Sequence, residues 1–141
     1  MEDERLMRVL IVEDEPMLSA ELGFIVDGAG HQVVGMAGDL AEALRIAGET
    51  QPELALVDLH LNDGLTGVKT ARRLHEEHGT SIVFLTGNPE DVPSDDTVAY
   101  GVVSKPYFDH AVLRMLEYVA ARREGRTDVA PPPAMDVRDA S

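Results

Sequence analysis

Glu53–Asp63 reads ELALVDLHLND. Four apolar residues, Leu54–Val57, stop on a single acid, Asp58, and a loop with Asn62, Asp63 and Gly64 follows. A short unbroken apolar run of this kind suits a strand buried on both faces, as in a parallel sheet. In open parallel sheets, ligands bind beyond the carboxyl ends of the strands, so an acid at that point is placed for chemistry. The pattern occurs once before: Val9–Val12 is apolar, and Glu13, Asp14 and Glu15 follow.

Outward from these two strands the chain alternates. Pro16 starts a helix with Leu18, Leu22, Ile25 and Val26 on one face, stopped by Gly28 and Gly30. Gln32–Met36 is a second strand, and Asp39 caps a helix with Leu40, Ala43, Leu44 and Ala47 inward, broken at Gln51-Pro52. After the third strand, Thr66 or Gly67 opens a helix with Val68, Ala71 and Leu74 inward. Ser81–Leu85 and Tyr100–Val103 are strands four and five, and Asp109 caps a last helix bearing Val112, Met115, Leu116 and Val119. Strands alternating with helices predict an α/β, doubly wound, five-stranded parallel sheet with helices on both faces. Residues 86–99 are the irregular connection: Pro93 interrupts any helix begun at Pro89, so a shortened helix or an ordered loop is expected. The division is 1–6 as an extension, 7–123 as one folded domain and 124–141, with Pro131–Pro133, as a flexible tail.

The 141 residues suffice for one core without staples. With no cysteine there is no disulfide or thiolate chemistry, which fits a reducing cytoplasm. A net charge of −14 excludes nonspecific nucleic-acid binding, and no apolar run is long enough to span a membrane.

Four strand ends carry side chains suited to a phosphoryl group. Asp58 is a candidate nucleophile for an acyl phosphate, Glu13 and Asp14 are candidate oxygen ligands for Mg2+, Lys105 supplies a positive charge, and Thr86 a hydroxyl. Each alone has a plainer reading as a cap, a helix-start acid or a surface lysine; the ordered set makes those readings improbable.

With VLIVEDEP at Val9–Pro16, LALVDLHL at Leu54–Leu61, IVFLTGN at Ile82–Asn88 and VVSKPY at Val102–Tyr107, the sequence resembles the receiver domain of bacterial response regulators. The resemblance implies a flavodoxin-like sheet of order 2-1-3-4-5 and phosphorylation of Asp58 by a histidine kinase or a histidine phosphotransfer protein in a two-component system or phosphorelay. It also implies Mg2+ held directly by Asp14, with Glu13 as an outer ligand and Asp58 and the backbone carbonyl of His60 completing the protein's set. Output would then pass through protein contacts, to a downstream protein and not to DNA or a membrane, and the only chemistry would be phosphotransfer to Asp58 and its loss. The family's aromatic residue three places before the lysine is replaced here by Val102. Tyr100, two residues earlier, is expected on the same sheet face as Val102. Together with FLTG at Phe84–Gly87, the irregular 86–99 segment is similar to single-domain receivers with a degenerate helix there. The rival reading is a constitutive interaction module that keeps the fold without phosphorylation.

Overall fold

The computed structural model describes residues 6–96 and 98–138, so most of the expected N-terminal extension and the last three residues lie outside it. The strands are β1 Arg8–Val12, β2 Gln32–Ala37, β3 Leu54–Val57, β4 Ser81–Thr86, β5 Ala99–Ser104 and β6 Met135–Val137. The helices are α1 Pro16–Gly28, α2 Leu40–Thr50, α3 Gly67–His78 and α4 Asp109–Arg123. The sheet order is β2-β1-β3-β4-β5-β6, with the first five strands parallel.

The continuous apolar runs are explained by two separate cores. Val9, Ile11, Leu54, Leu56, Val83 and Leu85 pack on one face with α1 and α4. Leu10, Val12, Ala55, Val57, Ile82 and Phe84 pack on the other with α2 and α3. Alternate residues of each strand therefore meet different helices, and none can be polar.

Local chemistry fixes the joints. Asp39 caps α2 by accepting from the Glu42 N–H at 2.8 Å, while Glu42 accepts from the Gly38 N–H. Helix α2 ends on Gln51 and α3 on Gly79, both with positive φ. Asp109 is the first residue inside α4 and not its cap, which is Phe108.

Three further expectations are corrected. The sheet has six strands, not five, and the stretch after Arg123 is not a flexible tail throughout: β6 pairs antiparallel with β5, and Met135 joins the α1/α4 core. Tyr100 does not share a face with Val102. The β4–β5 register slips by one residue after Ile82↔Ala99, so Tyr100 packs on the α1/α4 core while Val102 is buried in the α2/α3 core. The segment between β4 and β5 holds one short 3-10 turn, Pro89–Asp91, as its prolines foretold.

His31 gives the fold a pH dependence. Its Nδ1 accepts the Met7 N–H at 3.0 Å, and burial pushes its pKa below 6.5 although Glu53 pulls the other way. The unfolded chain thus binds the proton more readily. His31 contributes stability that is fully present above pH 6.5 and is lost as pH falls through its depressed folded value. Denaturant unfolding at about pH 7.5 and about pH 5.5 should show a larger loss for the wild type than for His31→Gln; equal losses would refute this.

Candidate functional site

The backbone ladder runs one residue past β1, β3 and β5 and sets the site in register. The Glu13 N–H donates to the Ala37 carbonyl at 2.8 Å, the Asp58 N–H to Val12 at 2.9 Å, and the Lys105 N–H to Thr86 at 2.8 Å. The side chains at the ends of β1, β3 and β5 therefore converge. Oxygens of Glu13, Asp14 and Asp58 lie within 4.8 Å of one another. Lys105 Nζ stands 2.8 Å from both Glu13 Oε1 and Asp58 Oδ2.

Each carboxylate is also held from its own backbone. Asp58 Oδ1 accepts the Leu59 N–H at 2.7 Å, which aims Oδ2 at the lysine. Glu13 Oε2 accepts the Glu15 N–H at 3.1 Å. Burial raises the Glu13 pKa above the usual carboxylate range, against the opposing pull of the Lys105 hydrogen bond. Burial works to lower the Lys105 pKa, but its hydrogen bonds to Asp58 and Glu13 outweigh this and the net shift is upward. By formal charge, three carboxylates stand against one ammonium in the pocket. The donors are all hard oxygens, with no nitrogen or sulfur, which fits a small divalent cation such as Mg2+.

Thr86 is fully buried, and its hydroxyl accepts the Asn88 N–H at 3.0 Å. It caps the turn that leaves β4 and does not touch Asp58 or Lys105 among the hydrogen bonds of the described residues. The His60 imidazole lies with its Nε2 3.7 Å from Asp91 on the 3-10 turn. The structure thus brings Glu13, Asp14, Asp58 and Lys105 together, while the Thr86 hydroxyl is engaged by Asn88 and the His60 imidazole by Asp91.

Two contributors escaped the sequence reading. Tyr107, two residues past Lys105, is half-buried beside the site; burial pushes its phenol up to about 12, with smaller effects from Lys105, Glu13, Glu21 and Asp58. It stays neutral at any physiological pH and adds a wall without adding charge. Gly67 lets α3 press on the end of β3: its N–H donates to the Leu59 carbonyl at 2.9 Å, and a Cβ there would collide with the Asp58 carbonyl and Leu59 Cα. Thr66 fills the cap position before it, and no local pattern marks the glycine that follows.

A family model described as "Response regulator receiver domain" matches residues 9–117. The phyllosphere-induced regulator PhyR of Methylorubrum extorquens is 39% identical over 83 residues, covering 58% of this chain and 31% of that protein. Among solved structures, the receiver domain of PhyR from Erythrobacter litoralis superposes with a TM-score of 0.74 at 28% identity, covering 83% of this chain and 91% of that one. An anti-anti-sigma factor PhyR from Bartonella quintana, solved with the anti-sigma factor NepR, is similar at 30% identity and a TM-score of 0.55, covering 64% of this chain and 37% of that one. The chain spans less than half the length of the curated relatives it matches, from 31% to 44% for the first three.

Proposed function

The chain belongs to the response regulator receiver family, and from that premise we propose that it is a phosphorylation-dependent switch in which Asp58 takes a phosphoryl group from a histidine kinase or a histidine phosphotransfer protein. The observation that carries this reading is the convergence of Glu13, Asp14, Asp58 and Lys105 at the carboxyl ends of β1, β3 and β5.

The chemistry follows from the contacts. An Asp58 carboxylate oxygen attacks the phosphorus of a phosphohistidine; the new O–P bond forms as the P–N bond breaks, and the imidazole leaves with the electron pair and is free to take a proton. Asp14, Asp58 and Glu13, with the carbonyl of His60, would hold Mg2+, which offsets repulsion between the anionic donor and the anionic acceptor. Lys105, already bonded to Asp58, is placed to pair with an incoming phosphoryl oxygen and to hold it as a point charge. Thr86 would release the Asn88 N–H and donate its hydroxyl to the phosphoryl group, which loosens the turn leaving β4. The chain acts on its own aspartate and turns over no diffusible substrate.

With Val102 buried in the α2/α3 core and Tyr100 on the opposite face, an aromatic rotation coupled to Thr86 is not available at those positions. The output then rests on the connection between β4 and β5, through which a shift at Thr86 reaches the surface. By the PhyR likeness, that output would be binding to another protein, in the cytoplasm. No helix among the described residues is long and apolar enough to cross a membrane.

Incubation with acetyl phosphate and Mg2+ should add one phosphoryl group by intact mass, and a chelator should prevent the gain. Partner binding unaltered by phosphorylation would favour the constitutive module instead. Asp14→Asn should weaken Mg2+ binding by more than about tenfold in calorimetric titration, because it removes one of few direct carboxylate ligands; an unchanged isotherm would remove Asp14 from the ligand set.

A further inference from the structure

The outer edge of β5 already has an occupant. Gly101, Val102 and Val103 pair antiparallel with Val137, Asp136 and Met135. Met135 starts opposite Val103 and lays its thioether over Gly101: a Cβ at position 101 would sit 2.5 Å from Met135 Cε and 2.7 Å from the Asp136 carbonyl. The Arg138 N–H then donates to the Tyr100 carbonyl at 2.7 Å, and its guanidinium reaches the Pro93 carbonyl at 3.1 Å.

We propose that the β5 edge is a strand-docking surface for an extended segment of a partner protein, and that the chain masks this surface with its own residues Met135–Arg138. Three features support the assignment. The edge lacks the devices that keep exposed strands from pairing: Gly101–Val103 carries no charge, and β5 contains no proline. Its Gly101 notch is shaped to an unbranched side chain crossing from the neighbouring strand. The masking strand is short, and of its three residues only Met135 is buried, while Asp136 and Val137 face solvent. Main-chain bonds supply the pairing and one side-chain pocket the selectivity, as in strand addition to an open sheet edge.

The masking segment also reports what the partner must bring. It needs an extended backbone, a long unbranched apolar side chain over Gly101, and an arginine three residues on to reach the Pro93 carbonyl. A tethered strand competes at an effective concentration of about millimolar, so a partner segment of modest affinity is shut out while the mask is seated. Release of the mask opens the site without any new contact elsewhere. This holds whether or not Asp58 takes a phosphoryl group.

The test uses the full chain and a labelled peptide of residues 129–138, VAPPPAMDVR. Met135→Glu unseats the mask by placing a carboxylate in the apolar pocket, and that variant should bind the peptide about tenfold or more tighter than the wild type. Arg138→Ala removes only the bonds to Pro93 and Asp136, leaves the core intact, and should give a smaller gain in the same direction. A peptide with the same Met→Glu change should bind none of the three chains. Equal peptide binding by the wild type and Arg138→Ala, or binding of the altered peptide, would overturn the proposal. If Met135→Glu fails to fold, Arg138→Ala alone decides.

Discussion

Asp58→Asn is expected to abolish phosphoryl gain altogether, from acetyl phosphate and from a histidine-phosphorylated donor alike. The amide that replaces the carboxylate has no anionic oxygen to attack phosphorus, and an amide nitrogen facing Lys105 Nζ would set donor against donor. The fold should survive: the Asn oxygen can still accept from the Leu59 N–H, and Lys105 keeps Glu13. A thermal melt close to that of the wild type therefore belongs with the mass measurement. The rival acceptors are poorly prepared. Glu13 is engaged by both Lys105 and the Glu15 N–H. Asp14 is the more open acid, and a variant that still gained one phosphoryl group would point to it. A wild type that took no group from either donor would remove the phosphotransfer reading.

Gly67→Ala should cost about 3 kcal/mol of stability, read as a fall in melting temperature of about 10 °C. The added carbon would meet backbone, the Asp58 carbonyl and Leu59 Cα, and not the end of a flexible side chain that could swing away. Relief requires α3 to retreat from β3, which breaks the bond from the Gly67 N–H to the Leu59 carbonyl and shifts the backbone that carries Asp58. Phosphoryl gain should slow along with the loss of stability. Gly48→Ala, inside α2 with nothing within 4 Å of the new carbon, is the matched control and should stabilise by up to about 1 kcal/mol. If both substitutions shifted the melt equally, the close approach of α3 to β3 would not be limiting.

The parts of the molecule legible in the sequence are those where local pattern and tertiary demand coincide. Leu54–Val57 must be apolar at every position because helices cover both faces, so the run itself announces a buried parallel strand. Asp58 and Glu13 were legible because an acid directly after such a run has no packing role to explain it. Met135–Val137 was not legible: three residues after three prolines look like breakers, and only the neighbouring edge makes them a strand. The Tyr100 error has the same origin. Simple alternation assumes a constant register, and the slip that overturns it is a property of the β4–β5 pair, not of Tyr100. Gly67 and Tyr107 act through what approaches them, which no spacing along the chain encodes.

The position of β6 at the end of the order has a consequence for the chain while it is being made. The central strands can pair as soon as they emerge, but β5 must wait for a cover encoded more than thirty residues further on, beyond all of α4. At about 5–20 residues per second, a ribosome leaves that uncharged Gly-Val-Val edge bare for some seconds. During that interval the nascent domain carries a sticky flank that neighbouring chains on the same message could pair with. A premature stop between α4 and β6 would make the condition permanent, so such a product should appear in the insoluble fraction even though its other five strands are complete.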